Sequence, residues 1–331
     1  MFQTSLMEIS QRLLEARTVL IYPHINMDGD ALGSSVSVCK AIRQMGKESY
    51  VIIEEAPPAN LLFMDKGYCV ENNDGDMLSS LCKEADISLC IDCGDEGRVG
   101  NRLEKCLNAK ETICIDHHHT GKLFCRLNHV EEDAAATGEI IFQLLKEMKV
   151  EPDKEIGEAL FAAISTDTGK FQYTNTRGLT HKITAELYDW GIDANYVSVQ
   201  LYQNDSVGKK LISAQALSHM EIVADGKAAI SYVTCKMADS LNIPMSDTEG
   251  IVDELRNIAG VELAAFLKEK GAEEINVSLR AKTVGNVADI AGKYNGGGHI
   301  KAAGCTLYMP MGQALEVMKN ELAEAVKRLN L

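Results

Sequence analysis

Along the first half of the chain, hydrophobic positions fall into short runs separated by longer stretches with a helical period. TVLIYP (18–23), YVIIEE (50–55), DISLCID (86–92) and TICID (112–116) are largely apolar at consecutive rather than alternate positions. Strands buried on both faces read this way, and such strands belong to parallel sheets covered by helices. The segments between them supply the helices. MFQTSLMEISQRLLEAR at the N-terminus is amphipathic, DALGSSVSVCKAIRQM covers 30–45, and DMLSSLCKEA precedes the third strand. Alternation of this kind predicts an α/β domain with right-handed crossovers. A helical block follows, from about Thr137 to His219.

The last third has a different rhythm. AAISYVTC (228–235), ELAAFLKEK (262–270) and EINVSLRAK (274–282) read as successive strands with turn signals between them. A helix is expected near Val287–Lys293, and an amphipathic helix closes the chain over Met311–Leu331. Grouped strands and grouped helices suggest an α+β domain. The expected division is a first domain over 1–195, a helical linker over 196–225 and a second domain over 226–331. No Pro/Ser-rich linker marks the join, and no internal repeat is visible.

Composition narrows the class. With 331 residues, 46% of them hydrophobic, the chain can build one large or two ordinary cores. It holds no apolar stretch of about 18 residues, so no membrane span is expected. The N-terminus lacks the basic start and unbroken apolar run of a signal peptide, and a cytoplasmic protein follows as the expectation. The ten cysteines are scattered through apolar segments, and Cys90-x-x-Cys93 has no second pair at zinc-ribbon spacing. Buried free thiols are the expected reading. The formal net charge of −15 is the wrong sign for gripping long nucleic acid. Either the substrate is small or the positive charge that binds it is local, as bound divalent metals would make it.

Candidate chemistry gathers at strand ends. His24, Asp28 and Asp30 lie within HINMDGDALGS, where the first strand gives way to a helix. Ligands of open α/β sheets bind at the carboxyl ends of strands. Helix capping accounts for one of the two aspartates. It does not account for His24 together with carboxylates on both sides of Gly29. Asp92 ends the third strand, Asp116-His117-His118 ends the fourth, and Ser165-Thr166-Asp167-Thr168-Gly169 follows a helical segment. A single Asp after a strand is commonly a turn residue. Several acids delivered to one edge would repel one another without cations between them.

Taken together, HINMDGDALGS, IDCGDEGR, DHH and TDTG match the DHH phosphoesterase family in order and spacing. The run Asn295-Gly296-Gly297-Gly298-His299-Ile300-Lys301-Ala302-Ala303-Gly304 resembles the substrate-binding motif of the DHH-associated domain. The resemblance covers nearly the whole chain. One departure is Met27, where the family commonly has Pro; that residue shapes the loop rather than binding metal.

The resemblance implies a parallel-sheet catalytic domain and a smaller α+β substrate-binding cap, with the substrate in the cleft between them. It implies two divalent metal ions. His24, Asp28 and Asp92 would hold one, and Asp30, Asp92, His117 and Asp167 the other, with Asp92 bridging. Carboxylate and imidazole ligands suit Mn²⁺, with Mg²⁺, Co²⁺ or Fe²⁺ as competitors. A metal pair of this kind activates water and clamps the oxygens of an in-line displacement. His118 would be the catalytic residue that contacts the phosphate; orienting a ligand is its plainer alternative. Arg280, Gly297, Gly298 and His299 would bind substrate, the guanidinium through its fork and the glycines through exposed N–H groups. Arg98 matches a commonly basic position and reads equally as a phosphate contact or as a surface partner of Asp95. His119 matches nothing the family requires.

Within the family, this length and domain pairing resemble the oligoribonuclease/3′-phosphoadenosine 5′-phosphate phosphatase group. Its members release mononucleotides from very short RNAs and remove the 3′-phosphate of 3′-phosphoadenosine 5′-phosphate. The partners implied are a short RNA or nucleotide, with no long duplex and no membrane, and a second copy of the chain through an exposed edge. The rival reading is a phosphodiesterase for cyclic di-AMP or its linear product pApA. A RecJ-like exonuclease fits less well, because its extra nucleic-acid-binding domain is missing. A family-two pyrophosphatase is disfavoured by GGGH. A catalytically dead nucleotide sensor would lack a ligand, and none is missing.

Overall fold

The computed structural model describes residues 3–72, 75–118 and 123–329; His119 lies outside them. The chain divides into two compact units between Asn204 and Asp205. Among the described residues, no helix is long and apolar enough to cross a membrane.

The first unit is built on a wholly parallel six-stranded sheet in the order β3-β2-β1-β4-β5-β6. Its strands are β1 (Thr18–Pro23), β2 (Glu48–Ile53), β3 (Cys69–Glu71), β4 (Ile87–Ile91), β5 (Glu111–Asp116) and β6 (Leu127–Val130). Helices α1 (Leu6–Glu15), α2 (Gly29–Gln44), α3 (Asp76–Glu84), α4 (Leu103–Leu107), α5 (Thr137–Glu147), α6 (Lys154–Asp167), α7 (Gly178–Asp189) and α8 (Ala194–Tyr202) surround it. Val19 and Ile21 share a core with Leu32, Ile140 and Leu160, whereas Leu20 and Tyr22 pack with Leu78, Cys82 and Cys106. Burial on both faces is why these strands read as continuous apolar runs.

The four expected strands form the middle of the sheet. The edge strands β3 and β6 escaped the pattern because they are short, and β6 carries polar residues. Asn128 and His129 are buried there by the N-terminal segment: Thr4 N–H donates to Asn128 O at 2.6 Å, and His129 Nδ1–H donates to Thr4 O at 2.7 Å. All ten cysteines are free, most of them buried. Helices α2 and α6 pack closely because position 33 is glycine; a Cβ there would stand 2.4 Å from Ala159 O. At Gly29 a Cβ would stand 2.5 Å from Thr166 Oγ1, which sets the start of α2 beside the end of α6.

The second unit begins with α9 (Val207–Ser218) and holds a mixed six-stranded sheet in the order β11-β12-β10-β9-β8-β7. Its strands are β7 (Glu221–Val223), β8 (Ala228–Val233), β9 (Leu263–Gly271), β10 (Glu274–Ala281), β11 (Gly297–His299) and β12 (Ala302–Leu307). Only β8 and β9 run parallel. Its further helices are α10 (Cys235–Ser240), α11 (Ile251–Arg256), α12 (Ala288–Gly292) and α13 (Met311–Arg328). Helices α12 and α13 cover one face, where Val277 and Leu279 meet Ile290, Met318 and Leu322. Helices α9 and α11 cover part of the other, where Ala264 and Phe266 meet Ile212, Ile251 and Leu255. Three strands were expected and six are present. The additional ones are short, or rich in Gly and Ala, and carry little hydrophobic signal.

Candidate functional site

The carboxyl edge of the first sheet gathers the metal-competent side chains. The turn after β1 presents His24 and Asp28, and α2 begins at once with Asp30. Asp28 is the N-cap of α2, its Oδ1 accepting N–H groups from Asp30 at 3.1 Å and Ala31 at 3.0 Å. Capping fixes the carboxylate without exhausting its oxygens.

His24 donates Nδ1–H to Ile25 O at 2.6 Å, which leaves the Nε2 lone pair facing Asp92 Oδ2 at 3.4 Å and Asp28 Oδ1 at 3.6 Å. That Nε2 is buried and has no hydrogen-bond partner. His117 is held in the same way. Its Nδ1–H donates to Ala134 O at 3.1 Å, and Nε2 lies 3.5 Å from Asp167 Oδ2, 3.6 Å from Asp92 Oδ1 and 3.9 Å from Asp30 Oδ2. An imidazole lone pair set against carboxylate oxygens is repelled by them unless a proton or a metal cation lies between.

The titration of these groups records the conflict. Burial opposes a charge on His24, but the carboxylates of Asp28 and Asp92 outweigh it and raise the pKa to about 10. For His117, burial is likewise outweighed by Asp92 and Asp30, and the pKa rises. The Asp30 carboxyl is pushed well above its usual range, by burial first and then by the charges of Asp92 and Asp167. Asp167 is pushed up by burial and by Asp28 and Asp92. The orphaned Nε2 of His24 and the mutually repelling carboxylates fit divalent cations, and the N and O donor set suits Mn²⁺ or its neighbours. Three sets of donors converge: His24 with Asp28 and Asp92; Asp30 with His117 and Asp167; and Asp92 with His117 and His118. The cluster could therefore hold metal, and Asp92 is common to two of the sets.

Asp92 follows β4 with a left-handed φ of 60° and is 2% exposed. Its N–H still reaches Ile115 O at 3.0 Å, and its Oδ1 accepts Thr137 Oγ1–H at 2.8 Å. His118 donates Nδ1–H to the buried Asp116 at 2.7 Å and lies 3.5 Å from Asp92 Oδ1. Asp30 accepts the N–H groups of Thr137 at 2.7 Å and Gly138 at 2.9 Å, and the Ser34 hydroxyl at 3.0 Å.

Of these supporting residues, Thr137 and Gly138 were missed from the sequence. The helix-opening run Ala136-Thr137-Gly138-Glu139 was the available signal, because the first N–H groups of a helix seek acceptors. Arg98 does not pair with Asp95, whose carboxylate accepts Gly97 N–H at 2.8 Å; the Arg98 charge instead opposes the upward shift of Asp167.

Arg102 was also unforeseen. It is 1% exposed, and its guanidinium donates to Pro23 O at 2.8 Å, Ile52 O at 2.6 Å and Val99 O at 3.0 Å. It therefore ties the carboxyl ends of β1 and β2 immediately before His24. Replacing Arg102 by methionine strands three buried carbonyls, and stability is expected to fall by on the order of 3 kcal/mol. A urea unfolding curve would check this, and a loss below about 1 kcal/mol would mean that those carbonyls find other donors.

In the second unit, Arg280 on β10 lies opposite Ala302 on β12, which in turn lies opposite His299 on β11. The three positions form one row across adjacent strands, so Arg280 and the glycine run come together. For His299 only the backbone is described. Gly297 and Gly298 belong to a paired strand rather than an open loop. Gly298 has φ 137°, and a Cβ there would lie 2.5 Å from Ala302 O, whereas Gly297 faces open space. The Arg280 Nε lies 3.4 Å from Asp253 Oδ1, and Arg256 Nη2 lies 3.2 Å from the same oxygen.

Comparison with known proteins adds relatives over most of the chain. The DHH family, N-terminal domain, matches residues 18–164, and the DHHA1 domain matches residues 225–330. A Thermus thermophilus protein named bifunctional oligoribonuclease and PAP phosphatase NrnA is 30% identical over 313 residues, 93% of this chain and 91% of the relative. The crystal structure of an exopolyphosphatase-related protein from Bacteroides fragilis is 26% identical with a TM-score of 0.91, covering 98% of this chain and 96% of that one. Thermus thermophilus RecJ, crystallised in complex with Mn²⁺, shares the fold at 14% identity with a TM-score of 0.52, over 98% of this chain and 55% of RecJ.

Proposed function

Since the chain belongs to the DHH family, we propose that it is a metal-dependent phosphoesterase that hydrolyses short oligoribonucleotides to mononucleotides and removes the 3′-phosphate of 3′-phosphoadenosine 5′-phosphate. One observation carries the reading: the buried Nε2 of His24, without a hydrogen-bond partner, faces Asp92 and Asp28, while His117 Nε2 faces Asp92, Asp30 and Asp167. In this reading His24, Asp28 and Asp92 hold one divalent ion, and Asp30, Asp92, His117 and Asp167 hold a second. Mn²⁺ is the preferred metal, by the donor set and by its presence in the RecJ structure of the same fold. The chemistry that such cations supply when bound is Lewis acidity toward a phosphoryl oxygen and activation of the attacking water.

The chain's own residues do the rest. The carbonyls of Ile25 and Ala134 keep the two histidine rings aimed toward Asp92, and Asp30 is locked by the N–H groups of Thr137 and Gly138. His118, oriented by Asp116, is proposed to contact the phosphate and to share charge or a proton with it. In the second unit, Arg280 and the Gly297–His299 strand are proposed to hold a further phosphate of the substrate. The same reading makes this a cytoplasmic enzyme of short RNA and nucleotides.

With a net charge of −15 the chain offers no long basic track, and a short substrate is expected. With Mn²⁺ at moderate salt, kcat/KM for a dinucleotide is expected to exceed that for a strand of about 24 nucleotides by at least about tenfold. Arg280→Ala is expected to raise KM by about 10–100-fold, the value of a charge-assisted contact. A labelled length series, run beside 3′-phosphoadenosine 5′-phosphate, cyclic di-AMP and polyphosphate, checks both. Equal kcat/KM for dinucleotide and long strand would defeat the short-substrate reading. Cyclic di-AMP or polyphosphate outperforming every linear dinucleotide would hand the site to that substrate.

A further inference from the structure

The segment Ala134–Gly138 supplies four contacts to the metal-competent cluster. Ala134 O accepts from His117, the Thr137 and Gly138 N–H groups bind Asp30, and the Thr137 hydroxyl binds Asp92. What holds the segment itself lies one layer further out. Glu139, in the first turn of α5, is 0% exposed, and its Oε2 accepts Ala135 N–H at 3.1 Å and Arg177 Nη2–H at 3.0 Å. Asn175 Nδ2 donates to Ala135 O at 2.9 Å and to Asp167 O at 3.1 Å. Residue 135 is thus held at its N–H by Glu139, which Arg177 pairs, and at its carbonyl by Asn175, so the stretch of chain that follows Asp167 reaches it once directly and once through Glu139.

That stretch is strained, although Lys170 N–H donates to Ser165 O at 2.7 Å and Phe171 N–H to Thr168 Oγ1 at 3.1 Å. Gly169, Lys170 and Phe171 take left-handed φ values of 55°, 62° and 63° in succession, a costly run for two non-glycine residues. Asn175 and Arg177 lie at its far end, just before α7. A buried carboxylate is expensive unless paired, so Glu139 depends on Arg177, whose own side chain is 36% exposed. Ordinary helix capping would need only an acceptor near the first turn, which a neutral Gln provides. The ion pair does something more: it joins the loop after Asp167 to the segment that orients His117, Asp30 and Asp92.

We propose that Glu139 and Arg177, with Asn175, form a brace that positions both halves of the ligand set, and that they are positioning residues for divalent-cation binding although neither belongs to the donor cluster. The proposal rests on the metal-centre reading above. Groups that orient metal ligands from behind typically carry 10–100-fold in affinity.

The test measures Mn²⁺ binding by calorimetry to the chelator-stripped full chain, with thermal unfolding of each metal-free protein alongside. Wild type is compared with Arg177→Ala, Arg177→Lys and the double variant Glu139→Gln/Arg177→Met. The double variant removes both charges at once, keeps an acceptor for Ala135, and guards against failure of the single variant to fold. Arg177→Ala and the double variant are expected to bind Mn²⁺ about 10–100-fold more weakly, with Arg177→Lys recovering part of the loss. In kinetics with a dinucleotide, kcat is expected to fall more than KM rises. Folded variants that bind Mn²⁺ as tightly as wild type, with only the unfolding temperature lowered, would overturn the brace and leave a plain capping role. A wild type that binds no Mn²⁺ would overturn the metal-centre reading beneath it.

Discussion

Replacing Asp92 by alanine is expected to abolish measurable turnover with every divalent metal supplied. Among the described residues, this carboxylate is the one group that meets both histidine lone pairs, at 3.4 Å to His24 Nε2 and 3.6 Å to His117 Nε2. It belongs to two of the three converging donor sets, and Thr137 pins one of its oxygens. Without it, the two sets that contain Asp92 fall to two donors each, only Asp30, His117 and Asp167 remain as a trio, and the buried edge loses the charge the two histidines share. The loss should exceed that from deleting a single oriented donor, so a fall of more than about 10³-fold is expected. Asp92→Asn keeps the shape but not the charge and is expected to behave nearly as badly. The measurement is single-turnover hydrolysis of a dinucleotide at saturating Mn²⁺, with bound metal counted by elemental analysis. Near-normal activity of Asp92→Ala under those conditions would remove the shared-ligand assignment and, with it, the two-ion arrangement.

Much of this edge was legible because two signals coincide there. The strands that carry Asp92 and His117 are buried on both faces and so read as unbroken apolar runs, and polar residues that interrupt such a run at its carboxyl end stand out. His24, Asp28, Asp30, Asp92, His117 and Asp167 all come to one edge. The supporting groups were not legible. Glu139, Arg177 and Asn175 act through partners far away in the chain, and nothing local distinguishes them from a helix cap or a surface ion pair. Arg102 reads as one more basic residue in a charged segment, yet it is buried against three carbonyls that only the folded sheet brings together.

The fold shows the same division. Strands with apolar runs were visible, whereas β6 owes its place to Thr4 and the N-terminal segment, contacts that a pattern of residues cannot announce. Strand β12 runs Ala302–Leu307 through small residues, and the glycine run beside it read as a binding motif before it read as a strand. The strand is what the fold shows of these residues, and their part in binding belongs to the proposed function. The pairing of β11 with β12 sets Gly298 at φ 137° and aligns the row that contains Arg280, and that alignment could not be taken from spacing alone.

His118→Ala is expected to retain both metals and lose about 10²–10⁴-fold in kcat, the usual contribution of a positioned acid, base or charge-stabilising partner. Geometry by itself allows two roles, since His118 also forms a donor set with Asp92 and His117. Its hydrogen bond separates them. The ring commits Nδ1–H to Asp116 at 2.7 Å, and it is that same Nδ1, no longer a lone pair, that lies 3.5 Å from Asp92. A ligand of the cluster would turn an unprotonated nitrogen toward Asp92, as His24 and His117 do. With Nδ1–H committed to Asp116, which fixes the tautomer, the proposed phosphate contact of His118 is through Nε2. Asp116→Asn should then reduce kcat by a smaller factor, about 10–100-fold, because the ring keeps its place but loses its anionic support. Elemental analysis of His118→Ala beside its kcat decides the matter. Wild-type metal content with the kcat loss supports the phosphate-facing role, and loss of metal in proportion to activity would make His118 a ligand and undo the division of labour between the two neighbouring histidines.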